Sequence, residues 1–421
     1  MYSVEEVDGE VPATPQLQPM RISKDGNQIA GTKEEIESDI LLPDTRIPST
    51  PEVGSESNAG DIKTEWNIGE QDPWFAGVFC NNWVTDSQNA NKKTLTLGDV
   101  TKSFSFFEKF PQTPVAWQHY KKEFVNQLTM DFATDSFVSL TWNFMGSNAP
   151  EMVVPETADA FPYDGITPTF LDAGTSKSFL TKGDMWLKIG DTVGTLVAFR
   201  QSPSMNITIN NNLERTPALG EDESIENSLG DFVVSGTLES YNVDQKGIDL
   251  YNAANQGADK VLQVSVSRKV GNVTTRYTLT INAHLGAPTK SRNGNKYQFS
   301  VPFTMNKADD FSLVKETIDE TPTVDAETPT FTNELADATY TTADTPAALD
   351  GTATVTDGGT VTYQWYADDV EIQDATSATY TPDVSSAGSV TYKVIATNTN
   401  ASATGSTTAT AVESCTITVT E

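Results

Sequence analysis

Histidine and cysteine are the side chains best suited to metal binding and nucleophilic chemistry near neutral pH. This chain of 421 residues has two of each: His119, His284, Cys80 and Cys415. Neither histidine lies at a ligand-like spacing from a cysteine or from the other histidine, so a transition-metal site is not expected. Carboxylates are the opposite case. With 58 Asp and Glu residues, pairs across strands are inevitable, and pairing alone does not signal glycosidase chemistry, which needs two acids facing each other across a cleft. They read as solvated acidic faces. The chain contains no G-x-S-x-G elbow, no P-loop, no G-x-G-x-x-G after a strand and no correctly spaced acidic calcium loop, and Asp357 to Thr360 reads as a strand-joining turn. Asn206-Ile207-Thr208 and Asn272-Val273-Thr274 fit the glycosylation acceptor but read as ordinary strand residues. Phe104, Phe106 and Phe107 have the chemistry of a stacking platform for sugars or bases, yet in a strand of this pattern they belong to a core. No catalytic, cofactor-binding or metal-binding residue is expected, and the chain does not read as an enzyme.

The formal net charge of -31 repels nucleic acid and anionic membrane surfaces, which excludes DNA binding through basic contacts. The two cysteines fall in segments that read as different domains, so the fold must rest on packing instead of a disulfide framework. Met1 to Glu6 lacks the basic start and apolar run of a signal peptide, and no later stretch is a membrane-spanning run, so a soluble product not exported by the general secretory route is expected.

Positioning elements are mostly strands. Ile62, Thr64, Trp66 and Ile68 alternate with polar residues, as do Val138, Leu140, Trp142 and Phe144, and again Tyr297, Phe299, Val301, Phe303 and Met305. A period of two puts one face in a core and the other in water, the mark of half-buried antiparallel sheet. The order of elements repeats. Gly60-Asp61 has a counterpart in Gly230-Asp231, each preceded by a Pro-x-apolar-Gly turn (Pro51 to Gly54, Pro217 to Gly220) and followed by a strand. A short helix comes next in each copy, with Asp72 or Asp244 placed to cap it, and then three strands. A duplicated β-domain and two sandwich domains of coincidentally similar order both fit. The division is an extended N-terminal arm over 1–60, a first β-domain over 61–150, a long loop over 151–185 and a second β-domain over 186–310. A linker over 311–327 and a separate module over 328–421 complete it.

In that last module Trp365 lies in one strand and Tyr392 in a later one, after Ala387-Gly388. The spacing resembles the immunoglobulin-like (Ig-like) sandwich, with Trp365 as the core tryptophan and Tyr392 as the tyrosine corner. Val394 stands where antibody domains have a disulfide cysteine, so apolar packing replaces the bridge.

An acidic, catalytically bare, duplicated β-domain with one helix per unit, followed by a Thr-rich Ig-like module, resembles siphophage major tail tube proteins. The run "SPSMNITINNNLERTPALG" is similar to the middle of tube proteins of the coliphage T5 type, which carry two fused tube domains. The resemblance implies a mainly β fold: two tandem tail-tube β-sandwich or barrel domains, each with a short α-helix, plus a C-terminal Ig-like sandwich. It also implies self-association into a ring, a homotrimer with pseudo-sixfold symmetry or a homohexamer, stacked into a tube in the virion tail after assembly in the host cytoplasm. Implied partners are the tape measure protein and the tail terminator and tail-tip proteins. DNA would pass through the lumen during ejection without specific binding, and no membrane partner and no cofactor are implied. From Thr321 onward there are fourteen acids against the single Lys393, so much of the charge belongs to the Ig-like module, expected on the outside in weak contact with host-surface glycans.

Alternatives in other classes are a bacterial or phage surface adhesin or carbohydrate-binding protein with an Ig-like module, which the absent export signal disfavours, and a carbohydrate-active enzyme, which needs an aromatic-lined cleft with paired acids between residues 60 and 310. A head decoration or baseplate protein is a nearer relative, told apart by whether tubes form.

Overall fold

The computed structural model describes residues 1–7, 9–36, 52–157, 160–172, 177–216, 226–241, 244–293, 296–320 and 323–421. It is mainly β, with several sheets and little helix. The chain divides into two compact units, Met1–Glu320 and Thr321–Glu421.

The first part of the larger unit runs β1 (Tyr2–Glu5), β2 (Gln16–Pro19), β3 (Ile22–Asn27), β4 (Ala30–Ile36), β5 (Glu52–Glu65), α1 (Asp72–Val78), β6 (Val84–Thr85), β7 (Lys92–Thr96), β8 (Ser103–Phe110), β9 (Ala116–Ala133) and β10 (Ser139–Gly146). After β11 (Thr169–Phe170) and a kinked turn, α2 (Thr181–Asp184), come β12 (Met185–Gly190), β13 (Val197–Ala198), β14 (Ser204–Asn210), β15 (Glu214–Thr216), β16 (Glu226–Ser228), β17 (Val233–Tyr241) and α3 (Gln245–Asn255). The unit ends with β18 (Asp259–Val270), β19 (Val273–Leu285), β20 (Thr289–Asn293) and β21 (Lys296–Asp319).

Strand pairing gives the two parts one topology. The first sheet runs β3/β4, β5, β10, β9, β8, β1, β2, and the second runs β14, β17, β21, β19, β18, β12, β13, with β20 extending β19 along the same edge of β21. In each, the strand before the helix pairs with the last strand of the meander that follows it. The alternating residues behave as their period requires: Ile62, Val138, Leu140, Trp142, Phe144 and Val301 are fully buried, and Phe299 and Phe303 nearly so. Tyr297 breaks the pattern and is exposed.

The helices are short and held differently. In α3 the carboxylate of Asp244 accepts the Gly247 N–H at 3.1 Å, the expected N-cap, and Gly257 at φ +63° ends the helix in the left-handed region that favours glycine. In α1 the expected cap is not Asp72. Gln71 holds the N-cap position without a side-chain cap bond, Pro73 follows at the start, and Asp72 turns its carboxylate to Tyr277 and Lys315. Packing holds this helix, since Trp74, Phe75, Ala76, Gly77 and Val78 are all buried.

Several other expectations change. Residues 1–36 and 52–60, expected as a free arm, supply strands β1 to β5 of the sheet. The segment after 310, expected to open a linker, remains strand to Asp319 because β21 pairs there with both β19 and β7. Asn272 sits in the turn between β18 and β19, not in a strand. Pro51 and Pro217 to Gly220 lie outside the described residues. Within the 151–185 excursion, Phe161 and Tyr163 pack on Phe107, and β11 pairs in parallel with β2.

In the smaller unit the strand Thr360–Ala367 pairs with Gly388–Thr399, which pairs with Thr408–Thr420, which takes Ala338–Thr341 in parallel on its far edge. Trp365 and Val394 are fully buried directly across from each other, the Trp365 indole N–H donates to the Ser377 carbonyl at 2.9 Å, and the Tyr392 hydroxyl reaches the Asp383 backbone.

Candidate assembly interface

The two sheets of the larger unit meet edge to edge. Strand β14 lies between β17 of its own sheet and β9 of the other, with Met205 opposite Phe132, Ile207 opposite Met130 and Ile209 opposite Leu128. All six side chains are buried, and each large apolar side chain so placed is worth roughly 1.5–3 kcal/mol over exposure. On the opposite face the hydroxyls of Thr129 and Thr208 lie 3.3 Å apart. Beyond the strand, Asn211 donates from its backbone N–H to the Asn126 carbonyl at 2.8 Å and from its side chain to the Val125 carbonyl at 3.0 Å.

A second layer ties the same two parts. Residues 312–316 of β21 pair with β7, and Phe79 stacks on Phe311 with centroids 4.9 Å apart. The Tyr277 hydroxyl donates to Asp72 at 2.7 Å and accepts the Gly69 N–H at 3.0 Å. Burial, then the Asp72 carboxylate, holds the Tyr277 hydroxyl well above its ordinary range, so it stays a neutral donor.

The seam also carries buried charge. Arg215, from β15, donates to the Asn58 carbonyl in the first sheet. Nearby Glu123 is fully buried and neither of its carboxylate oxygens has a hydrogen-bond partner. Burial raises the Glu123 carboxyl well above the usual range, Glu6 adds to the rise, and Asn58 and Arg215 pull against it. Desolvation in turn lowers the Arg215 guanidinium, against the Glu123 contribution.

At the outer ends of the two sheets the edges are open. Among the described residues, β3 and β4 pair only with β5, and β20 pairs only with β21.

The residues best suited to chemistry do not converge. His119 is half-buried, stacked on Phe107 at 4.3 Å with Nε2 2.9 Å from the Ser105 hydroxyl, and desolvation followed by the nearby Lys121 lowers its pKa to about 3. His284 belongs to the other sheet, at the surface, with Nδ1 2.8 Å from Asp259. Burial and then Asp99 push the Cys80 thiol up to about 11, and burial, then Asp337 and Glu413, raise that of Cys415, so neither is a ready thiolate at neutral pH. Among the described residues no three of His, Cys, Asp and Glu gather as a metal site. A cleft of about 550 Å³ lined by Phe132, Trp186 and Phe199 carries one carboxylate, Asp135, where two-acid chemistry needs a facing pair. Phe104, Phe106 and Phe107 are buried. Sequence reasoning missed Glu123, Arg215 and the Thr129–Thr208 contact, because each acquires meaning only from a strand more than 75 residues away in the chain.

Sheets joined by strand addition, with edges left open among the described residues, define a mainly β protein. A family model described as phage tail tube protein matches residues 1–306, and the chain belongs to that family. It is therefore a structural protein of the virion tail that assembles with itself into a tube. No curated protein matches the chain.

Proposed function

We propose that this chain is the tube subunit of a long-tailed, non-contractile phage, assembling into stacked rings that enclose the tape measure protein and later conduct DNA during ejection. The observation that carries the reading is the pair of sheets of one topology, joined edge to edge by β14 and β9. Open sheet edges are liabilities in a monomer and are removed when a ring of sheets closes into a barrel. Two sheets per chain support a fused, duplicated tube domain of the T5 type, with halves ending at about Gly146 and beginning at about Met185. Three such chains then complete a ring of pseudo-sixfold symmetry. A chain of net charge -31 suits a conduit along which DNA slides without adhering. Residues 321–421, with Trp365 buried against Val394, are read as an Ig-like sandwich. Tail terminator and tail-tip proteins are the proposed partners at the two ends.

Negative-stain electron microscopy of the concentrated full-length chain tests this. Hollow tubes with a regular axial repeat and three- or six-fold end views are expected. Persistent monomers, even with tail-tip components supplied, would overturn the reading.

A further inference from the structure

We propose that subunits join through a second copy of the seam already present inside the chain, residues 27–30 of one subunit lying against residues 289–292 of the next. The inference rests on the tube reading above and adds to it a partner surface and a register.

The register comes from matching the two sheets. Phe144 lies opposite Gly60, and Phe303 opposite Gly236. A Cβ at Gly60 would come 2.2 Å from the Gln28 carbonyl oxygen, and one at Gly236 would come 2.3 Å from that of Asn206. Both positions need glycine for the same reason, the close approach of the preceding strand. Ile29 and Ile207, the residues after those carbonyls, are buried. This aligns Gly60 with Gly236 instead of the Gly230 suggested by the sequence.

The receiving edges match too. In the first sheet the pairing slips by one residue between Val125–Phe144 and Gln127–Asn143, and in the second between Leu285–Phe303 and Thr289–Ser300. Val125 thus corresponds to Leu285 and Thr129 to Thr289. Inside the chain Thr208 faces Thr129 and Ile207 faces Met130. Carried to the open edges, the same register sets Ala30 against Thr289, Ile29 against Lys290 and Asn27 against Arg292.

Both edges carry the marks of an unfilled joint. The Ile29 N–H, instead of meeting a strand, is held by the Asn27 side chain at 3.2 Å. Thr289 to Arg292 are exposed, whereas their counterparts Met130 and Phe132 are buried under β14. Lys290 and Arg292 stand in place of those two apolar residues, and cations on an open strand discourage indiscriminate pairing of monomers. In the joint Arg292 comes opposite Asn27, whose amide donates to Glu108 at 2.6 Å, so a cation meets an acid.

The test is the full-length double variant Ala30→Cys/Thr289→Cys, oxidised in assembled tubes, with Thr129→Cys/Thr208→Cys as the internal control. Covalent oligomers that stop at the ring size are expected on a non-reducing gel, while the control pair oxidises within one chain. Hydrogen exchange on the unaltered protein should show residues 27–30 and 289–292 gaining protection on passing from monomer to tube. Tubes in which the control pair oxidises but the double variant stays monomeric, or in which neither segment gains protection, overturn this seam and leave the tube reading standing. Failure of the unaltered chain to form tubes at all overturns the tube reading itself and the seam with it.

Discussion

Glu123 has no exposed surface and no hydrogen bond to either carboxylate oxygen, and beside it lie Glu6, Asn58 and Arg215. Its folded-state pKa is raised, chiefly by burial, so the sign of its contribution is the reverse of the usual acid. Below the ordinary glutamate value of about 4.3 the group is protonated folded or unfolded and ionisation costs nothing. As pH rises beyond that value the unfolded chain releases the proton freely while the folded chain resists, and stability falls. Glu123→Gln keeps the shape and cannot ionise. Urea unfolding should show the variant equal to the parent near pH 4 and more stable near pH 8, by roughly 1–3 kcal/mol, the usual scale for a buried group without a partner. A loss of stability at pH 8 would mean that Glu123 is ionised there as the partner of Arg215.

At the scale of elements, the two helices separate cap from packing. Asp244→Ala removes the bond to the Gly247 N–H and should cost about 1 kcal/mol in chemical unfolding, with no cost if the bond is absent in solution. The strand alternation at the end of β5, in β10 and in β21 and the Asp244 cap were legible because each depends on neighbours within a turn or a few residues. The misplaced cap at Asp72 was not, because its carboxylate is claimed by Tyr277 and Lys315 from strands 205 and 243 residues further on. For the same reason β1 to β4 and the start of β5 looked like an arm: their sequence is polar and Pro-rich, and what makes them strands is the edge they extend.

At the scale of the molecule, the division at Thr321 predicts separable unfolding. Trp365 is fully buried, stacked on Tyr380 at 5.6 Å, so Trp365→Ala should weaken residues 321–421 by about 3–5 kcal/mol. Pulse proteolysis with fragments assigned by mass should show that transition falling while the one for residues 1–320 stays in place. Equal loss in both would show the units to be coupled.

What the sequence determined by itself is what short-range physics carries: period-two burial, turn and cap chemistry, an acidic balance unsuited to gripping DNA, and the scarcity of His and Cys at reactive spacing. It also suggested a repeated order of elements, six residues away from the register in which the two sheets match, because element order is written locally while register is set by which carbonyl presses on which glycine. Only the tertiary structure decided that Gly60 lies as Gly236 does, that β14 spans the gap to β9, and that, among the described residues, one edge at 27–30 and another at 289–292 are left without a strand. Those are properties of pairing between distant segments, and hydrogen-bonded edges exist only once the sheets do.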